Sequence, residues 1–239
     1  MTTVRDIYDF LDCLAPFSTQ AEWDNSGLIL GSFTRAVRSA AVCLDIPGEL
    51  SEADLVISHH PVIFQARKRF TNPMDPAVNL LRRDIAAIAF HTNYDACPGG
   101  VNDILAARLG LNDIEALPNG VRIGSIEPAS PQNYAKFASQ ALNAGVRYRA
   151  VANVIKKVAV CGGSGCSLLS EACGKADAFV TGDAGHHDFL EAALNGVSLI
   201  AAGHYRTEII AMPPLLERLR AAFPAVRWDY LDGGCEQTI

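Results

Sequence analysis

Short apolar runs, each ending in polar residues, recur along this chain from residue 28 onwards. Runs of this kind, bounded by Gly, Pro, Asp and Ser, are typical of buried strands. They cover residues 40–44, 55–57, 85–90, 146–151, 158–161, 178–180, 197–202 and 226–231, and a further short strand precedes Gly31. The hydrophobic pattern therefore predicts many short strands whose carboxyl ends carry polar side chains.

Helical spacing of apolar residues fills most intervals between these runs. At the N-terminus, Thr3 and Asp6 resemble a capping box, and Val4, Ile7 and Leu11 follow at helical spacing. Further helices are predicted over 75–83, 101–109, 131–144, from the glycine loop 162–165 to 173, over 187–195, and from 204 towards 223 with an interruption at Pro213-Pro214. Because strands alternate with helices, the fold class is α/β with a largely parallel sheet.

The organisation of the chain changes around residues 118–131, where short runs with proline and glycine replace the regular pattern. We interpret this stretch as the crossing into a second lobe. Both halves contain a strand followed by two histidines, at His59-His60 and at His186-His187. This repetition suggests an internal duplication.

Composition and charge narrow the class of protein. Of 239 residues, 49% are hydrophobic and only 19% are charged, which favours a homo-oligomer that covers part of its own surface. The net charge of −6 argues against general nucleic-acid binding, which needs a basic surface. No apolar run approaches the roughly 18 residues of a membrane span, and the charged first residues lack the apolar core of a signal peptide. We therefore expect a cytoplasmic protein.

The seven cysteines include no Cys-Xaa-Xaa-Cys pair, so disulfides and a structural zinc site are not expected. Most are interpreted as small buried apolar groups. Cys97 follows Asp95 by two residues and could act as a nucleophile, although the sequence fixes no base beside it.

The candidate chemistry centres on Ser58-His59-His60-Pro61, where a buried strand ends in two imidazoles. Pro61 favours extended backbone at His60, so the two rings are expected to point to opposite sides, as two neighbouring metal ions would require. Ordinary loop histidines are the alternative. Metal binding is favoured because each of the six histidines lies at or just beyond the end of an apolar run: His59, His60, His91, His186, His187 and His204.

His204 and Glu208 are four residues apart at the start of a predicted helix and therefore share one face. With His59, His60 and Asp95 they make three imidazoles and two carboxylates, which can hold two divalent ions with coordination positions left open for water. Nitrogen and oxygen ligands without thiolate suit Zn, Mn, Fe or Ni.

For several other residues the sequence allows two roles. His91, His186 and His187 either orient ligands and transfer protons or are hydrogen-bonded loop residues. Asp24 and Asn25 are either turn residues or part of the site. The loop Gly162-Gly163-Ser164-Gly165 is either a tight turn between strand and helix or an anion-binding loop.

The order of the motifs resembles the NIF-three-like family, whose members are often labelled GTP cyclohydrolase I type 2 homologues. The resemblance runs from about residue 21 to residue 208 and matches the short form of the family, without an inserted domain. Its motifs are Trp23-Asp24-Asn25-Ser26-Gly27-Leu28, Ser58-His59-His60-Pro61, His91-Thr92-Asn93-Tyr94-Asp95, Thr181-Gly182-Asp183 with His186-His187, and Gly203-His204-Tyr205-Arg206-Thr207-Glu208. Cys97 departs from the small residue expected at its position.

This resemblance implies a three-layer fold of two similar, intertwined α/β lobes, one formed by residues 1–120 and 200–239 and the other by 121–199. It also implies a hexameric ring with a dinuclear metal site in each subunit. Carried over position by position, the metal ligands would be His59, His60, Asp95, His204 and a bridging Glu208.

The family label implies hydrolytic opening of the guanine imidazole ring of GTP with release of formate. The sequence therefore predicts a metal-dependent hydrolase acting on a small nucleotide-like substrate, with His91 or His187 handling protons. The alternatives are a non-catalytic metal-binding, metal-handling or regulatory oligomer, and a metal-free interaction scaffold.

Overall fold

The computed structural model describes residues 1–48 and 52–233, so Cys235 lies outside the described part. The chain forms two compact units. Among the described residues, the first unit comprises residues 1–97 and 212–233, and the second comprises Pro98–Ala211. The boundaries expected near residues 120 and 200 both fall inside the second unit. His204 and Glu208 lie in this second unit.

The strands are short, as the apolar runs predict. Numbered along the chain, they are β1 (Gly27–Leu30), β2 (Ser39–Cys43), β3 (Leu55–Ser58), β4 (Ala86–Ala89), β5 (Asn112–Ala116), β6 (Arg122–Ala129), β7 (Arg147–Arg149), β8 (Ile155–Cys161), β9 (Ala178–Thr181), β10 (Ser198–Ala201) and β11 (Arg227–Leu231).

The helices occupy most of the intervals between strands. They are α1 (Val4–Leu14), α2 (Pro76–Arg82), α3 (Thr92–Ala96), α4 (Val101–Arg108), α5 (Pro131–Leu142), α6 (Leu169–Ala172), α7 (His186–Leu194), α8 (His204–Glu208) and α9 (Met212–Ala222). Single turns of 3-10 helix cover Phe17–Thr19, Pro118–Gly120, Gly165–Leu168 and Ile209–Ala211.

The first unit contains a five-stranded sheet in the order β1-β4-β3-β2-β11. The central strands β2, β3 and β4 are parallel, and β11 joins them in parallel beside β2. β1 is antiparallel to β4 at the opposite edge. The predicted parallel core and the predicted edge position of the last strand are therefore confirmed.

The second unit contains a six-stranded sheet in the order β5-β6-β8-β9-β10-β7, of which β8, β9 and β10 are parallel. Apolar residues cover both of its faces. Val158 and Val160 of β8 pack with residues of α4 and α5, whereas the alternate residue Ala159 packs with residues of α6 and α7. This unit therefore has three layers, with helices on both sides of the sheet, as expected of an α/β fold.

β6 lies within residues 118–131, which were interpreted as the crossing into a second lobe, and β5, which precedes this stretch, was not predicted. The sequence pattern fails because all five residues of β5 are exposed, and because glycine and proline interrupt β6. The glycine has a packing reason: a β-carbon added to Gly124 would lie 2.6 Å from the carbonyl oxygen of Asn112 on the neighbouring strand.

The helix ends follow the local signals in most places. Thr3 and Asp6 form the predicted capping box of α1, and Gly110 follows α4 with φ of +72°. α5 ends at a left-handed Asn143 and not at Gly145. The expected break at Pro213-Pro214 is misplaced, because both prolines lie in the first turn of α9, where the missing N–H costs little. The helix is interrupted instead at Ile209–Ala211.

The helices within residues 1–48 and 52–233 are too short or too polar for any one of them to cross a membrane.

Candidate metal centre

The end of β3 places His59 and His60 beside each other. The chain bends at these two residues, and their ring centroids lie 5.1 Å apart. The expectation that the rings point to opposite sides is therefore wrong, because the backbone does not continue as extended strand up to Pro61. With His91, the two histidines form a group whose ring nitrogens, one from each residue, all lie within 4.8 Å of one another.

Oxygen atoms fix the orientation of both rings. Nδ1 of His59 lies 2.9 Å from the carbonyl oxygen of Phe90, and Nδ1 of His60 lies 2.8 Å from Oδ1 of Asp45. A carbonyl can only accept a hydrogen bond, so Nδ1 of His59 carries the proton and, in the neutral ring, Nε2 carries the lone pair. Metal-ligating histidines in proteins are commonly held in this way through their second nitrogen.

Asp24 holds His91 in the same manner, at 2.8 Å from Nδ1 to Oδ1. Its carboxylate is buried and also accepts hydrogen bonds from the Thr92 backbone N–H and hydroxyl and from the Ser26 hydroxyl. Burial raises the pKa of Asp24, but these hydrogen bonds together outweigh burial and hold the pKa well below its usual range. Asp24 is therefore an ionised anchor and more than a turn residue.

Asp95 lies on α3, a short helix that the sequence pattern did not predict. Its Oδ1 is 3.4 Å from Nε2 of His59. Since the Nδ1 proton of His59 is directed at Phe90, a neutral His59 would place a lone pair opposite a carboxylate oxygen. Either a proton on Nε2 or a cation bound by both atoms relieves this repulsion, so the pair fits a divalent metal ion.

His204 and Glu208 occupy the first and last positions of α8 in the second unit. Nε2 of His204 lies 3.1 Å from Oε2 of the buried Glu208, and its Nδ1 lies 2.7 Å from Oδ2 of Asp183. The hydrogen bond with Glu208 is the largest influence and, with the Asp183 carboxylate, outweighs burial to raise the pKa of His204 to about 9. The predicted pairing on one helix face is thus present.

The glycine loop after β8 packs directly against this pair. Gly163 has φ of +58°, and a β-carbon added to it would lie 2.0 Å from Oε1 of Glu208 and 3.2 Å from Nε2 of His204. The N–H of Gly163 donates to the Thr207 hydroxyl at 3.0 Å. The loop is therefore a tight turn that needs glycine because its backbone faces the two predicted ligands.

A surface cavity of about 380 Å³ adjoins His204 through two of its lining residues. The Ser164 hydroxyl donates to Oδ2 of Asp183 at 2.9 Å and lies 3.4 Å from Nδ1 of His204. Burial is the largest cause that raises the pKa of the Cys166 thiol to about 12, followed by the charge of Asp188, so this thiol stays protonated. The lining residues are Arg147, Ser164, Cys166, Asp183, Ala184, Gly185 and Asp188.

The remaining candidate residues lie in different settings. His186 and His187 are exposed in the first turn of α7, with ring centroids 5.4 Å apart. Cys97 is buried, and its thiol donates to the carbonyl oxygen of Tyr94. His91 is thus grouped with two predicted ligands, whereas the proton-transfer role predicted for His187 stays a prediction.

The sequence patterns assigned no role to Asp45 or Asp183, two of the three carboxylates that orient the histidines. Asp45 follows β2 by two residues and Asp183 follows β9 by two residues. Both therefore obey the strand-end rule that selected the ligands, and that rule, applied to carboxylates as well as to histidines, would have found them.

Comparisons with known proteins agree with the motifs. The sequence profile of the family described as Duf34/NIF3 (NGG1p interacting factor 3) matches residues 2–231. A Campylobacter jejuni protein named GTP cyclohydrolase 1 type 2 homolog is 34% identical over 217 residues, covering 86% of this chain and 87% of the relative. A Helicobacter pylori protein named GTP cyclohydrolase 1 type 2 is 31% identical over 218 residues, covering 87% and 88%.

Solved structures show the same fold. A crystal structure of a Staphylococcus aureus protein superposes with a TM-score of 0.86 at 26% identity, covering 100% of this chain and 99% of that one. A Bacillus cereus protein described as related to NIF3 gives a TM-score of 0.89 at 20% identity, again covering 100% and 99%. The second likeness, at its low identity, supports the fold alone.

Proposed function

The chain belongs to the Duf34/NIF3 family, and from this premise we propose that it is a metal-dependent hydrolase that binds two divalent ions and acts on a small nucleotide-like substrate. The name of the Helicobacter pylori relative, GTP cyclohydrolase 1 type 2, supports a substrate of this class. GTP is accordingly the first substrate to test.

The observation that carries the proposal is the contact between His59 and Asp95. Nε2 of His59 lies 3.4 Å from a carboxylate oxygen, while its Nδ1 is engaged with the Phe90 carbonyl oxygen. Two electron-rich atoms are held near each other by separate elements of one unit. With a neutral His59 this contact is repulsive, and a cation bound by both atoms, like a proton on Nε2, makes it favourable.

We propose that His59, His60 and Asp95 of the first unit and His204 and Glu208 of the second unit are all metal ligands. All five supply nitrogen or oxygen, which suits Zn, Mn, Fe or Ni. The carboxylates of Asp45 and Asp183 hold two of these imidazoles through Nδ1. Such outer contacts raise the basicity of the ligand and fix its direction.

When bound, divalent ions of this kind supply an acidified water and polarise the oxygen of the scissile group. The residues of the chain would then position the substrate and move protons. His91 suits proton transfer because the contact of its Nδ1 with Asp24 fixes the direction of the ring. His187 is the second candidate for this role.

The experiment measures metal content and GTP hydrolysis on the same protein samples. Tag-free protein purified without chelator is loaded separately with Zn, Mn, Fe and Ni, and its metal content is measured by elemental analysis. We expect about two ions per chain, a sharp fall in Glu208→Ala, and hydrolysis that follows metal occupancy. Glu217→Ala, a matched change of an exposed glutamate on α9, should leave both unchanged.

Two outcomes would overturn the proposal in different ways. Full hydrolysis by metal-free Glu208→Ala protein would exclude metal-dependent catalysis. Two bound ions without turnover of any nucleotide in a broad screen would favour the alternative, a non-catalytic metal-handling oligomer. The hexameric ring and the cytoplasmic location stay predictions, and light scattering coupled to size exclusion tests the ring.

A further inference from the structure

We propose that Trp23 and Phe64 form a stacking subsite for the planar heteroaromatic ring of a nucleotide, beside the histidine group of the first unit. The reaction assigned to this ring rests on the function proposed above, whereas the binding of the ring does not. The subsite is built entirely from residues of the first unit.

The two aromatic side chains are exposed although both contact the same buried histidine. Trp23 is 67% exposed and Phe64 is 44% exposed. Their ring centroids lie 5.8 Å and 5.6 Å from that of His91, with interplanar angles of 74° and 84°. Phe64 also lies 6.4 Å from His60 by ring centroids. Two large apolar surfaces are therefore left in contact with water next to proposed metal chemistry.

Hydrogen bonds hold the backbone next to both rings. Asp24, adjacent to Trp23, is bound by His91, Thr92 and Ser26. The side-chain amide of Asn25 donates to the carbonyl oxygen of Ile63 at 2.6 Å, directly before Phe64. The same bond ties the Trp23 loop to the Phe64 loop. Since both aromatic residues are mounted on fixed backbone and have few rotatable bonds, little conformational entropy is lost when a ligand stacks on them.

A nucleobase suits this surface better than an aliphatic or a purely anionic ligand. Every base presents a flat π-face, and stacking on tryptophan or phenylalanine is insensitive to base identity. The subsite offers ring faces, whereas the adjacent histidines and metal ions would suit the polar part of the same molecule. A nucleotide stacked here has its base next to His91, where the proposed reaction would need it.

The test compares how tightly metal-loaded protein binds a ligand that carries the base and one that lacks it. Affinities for GTP and for tripolyphosphate, which keeps the linked phosphates but lacks the base, are measured by calorimetry for wild type, Trp23→Ala, Trp23→Phe and Phe64→Ala. We expect Trp23→Ala to weaken GTP binding about tenfold, as loss of one stacking partner predicts, and to leave tripolyphosphate binding and metal content unchanged. Trp23→Phe should restore most of the GTP affinity.

The chain provides a matched control for Phe64. Phe70→Ala removes another exposed phenylalanine, 45% exposed and six residues further along the same loop, and should not change GTP affinity. The only other tryptophan, Trp228, is buried. GTP should therefore quench tryptophan fluorescence in wild type and in Phe70→Ala, and the quenching should be lost in Trp23→Phe.

Three results would overturn this inference. The first is equal GTP affinity in wild type and Trp23→Ala, and the second is an equal loss of affinity for GTP and for tripolyphosphate in Trp23→Ala. The third is a smaller oligomer of Trp23→Ala in sedimentation, which would make the aromatic pair a contact between copies of the chain. Failure of the proposed function is distinguishable from these results. Guanosine, which has the ring without phosphates, is titrated into metal-free protein, where quenching through Trp23 would persist even if no metal binds and no hydrolysis occurs.

Discussion

Gly163 stands so close to Glu208 that a β-carbon on the glycine would lie 2.0 Å from the carboxylate oxygen Oε1. The residues come from different elements, the turn after β8 and the last position of α8. Glu208 is buried and cannot swing into solvent without leaving His204. The identity of the residue at position 163 therefore controls where this proposed ligand lies.

Gly163→Ala should lower metal content nearly as far as Glu208→Ala does, because the added methyl group displaces the carboxylate. The matched control is Gly174→Ala. Gly174 has a similar positive φ of +71°, but no atom lies within 4 Å of the added carbon. Gly174→Ala should therefore cost only about 1 kcal/mol of backbone strain, and this variant should keep its metal. Elemental analysis with thermal unfolding separates the two effects. Equal metal content in both variants would contradict the prediction.

Asp45→Ala should weaken metal binding about 10- to 100-fold, the usual effect of losing a residue that orients a ligating histidine. The carboxylate of Asp45 contacts Nδ1 of His60 at 2.8 Å, and without it the ring can rotate and change tautomer. Competition with a chelating dye measures the affinity. Asp9→Ala, an exposed aspartate paired with Arg5 on α1, should behave like wild type; the same loss in both variants would rule out a specific role for Asp45.

Asp24→Asn should lower the free energy of unfolding by about 2–3 kcal/mol at pH 7, because a buried ionised acceptor of several hydrogen bonds is replaced. The folded-state pKa of Asp24 is lowered, so its contribution is present above the unfolded-state pKa near 3.9 and is lost as the pH falls further. Urea unfolding at pH 7 and at pH 3 should show the difference between wild type and variant shrinking. A constant difference would show that ionisation of Asp24 is unimportant.

Metal uptake at His204 should weaken as the pH falls. The metal-free imidazole has its pKa raised to about 9 by Glu208 and Asp183, so below that pH an ion must displace a proton, and the apparent affinity should fall about tenfold per pH unit. Metal titrations at pH 7, 8 and 9 measure the slope. Asp183→Asn removes one of the charges that raise the pKa and should flatten it; an equally steep slope in this variant would contradict the assignment.

The strand-end rule explains why much of the candidate site could be predicted from sequence. Apolar runs identify buried strands, and parallel strands bring their carboxyl ends to one edge of the sheet. The location of His59 and His60, and of the strand that precedes Asp95, could therefore be predicted. The pairing of His204 with Glu208 followed from helical periodicity alone. These features depend only on local pattern.

What could not be predicted depends on tertiary contacts. The convergence of His59 and His60 follows from a backbone bend that the Pro61 rule does not encode. β5 was missed because an exposed strand has no apolar run, and its residues are ordered by pairing with β6. The role of Asp24 required knowing that residues 24 and 91, far apart in sequence, are hydrogen-bonded.

The connectivity of the first sheet bears on how the protein is made. β11 pairs with β2, with Arg227 opposite Ser39, and the segment Pro98–Ala211 of the second unit lies between these two strands in the chain. On the ribosome, β5 to β10 all emerge before β11 does, so the second unit can fold while the edge of β2 still has no neighbour. An uncovered edge strand is a template for wrong pairing with other chains. We therefore expect unfinished or stalled chains, in which this edge of β2 is still uncovered, to aggregate more readily than the finished chain.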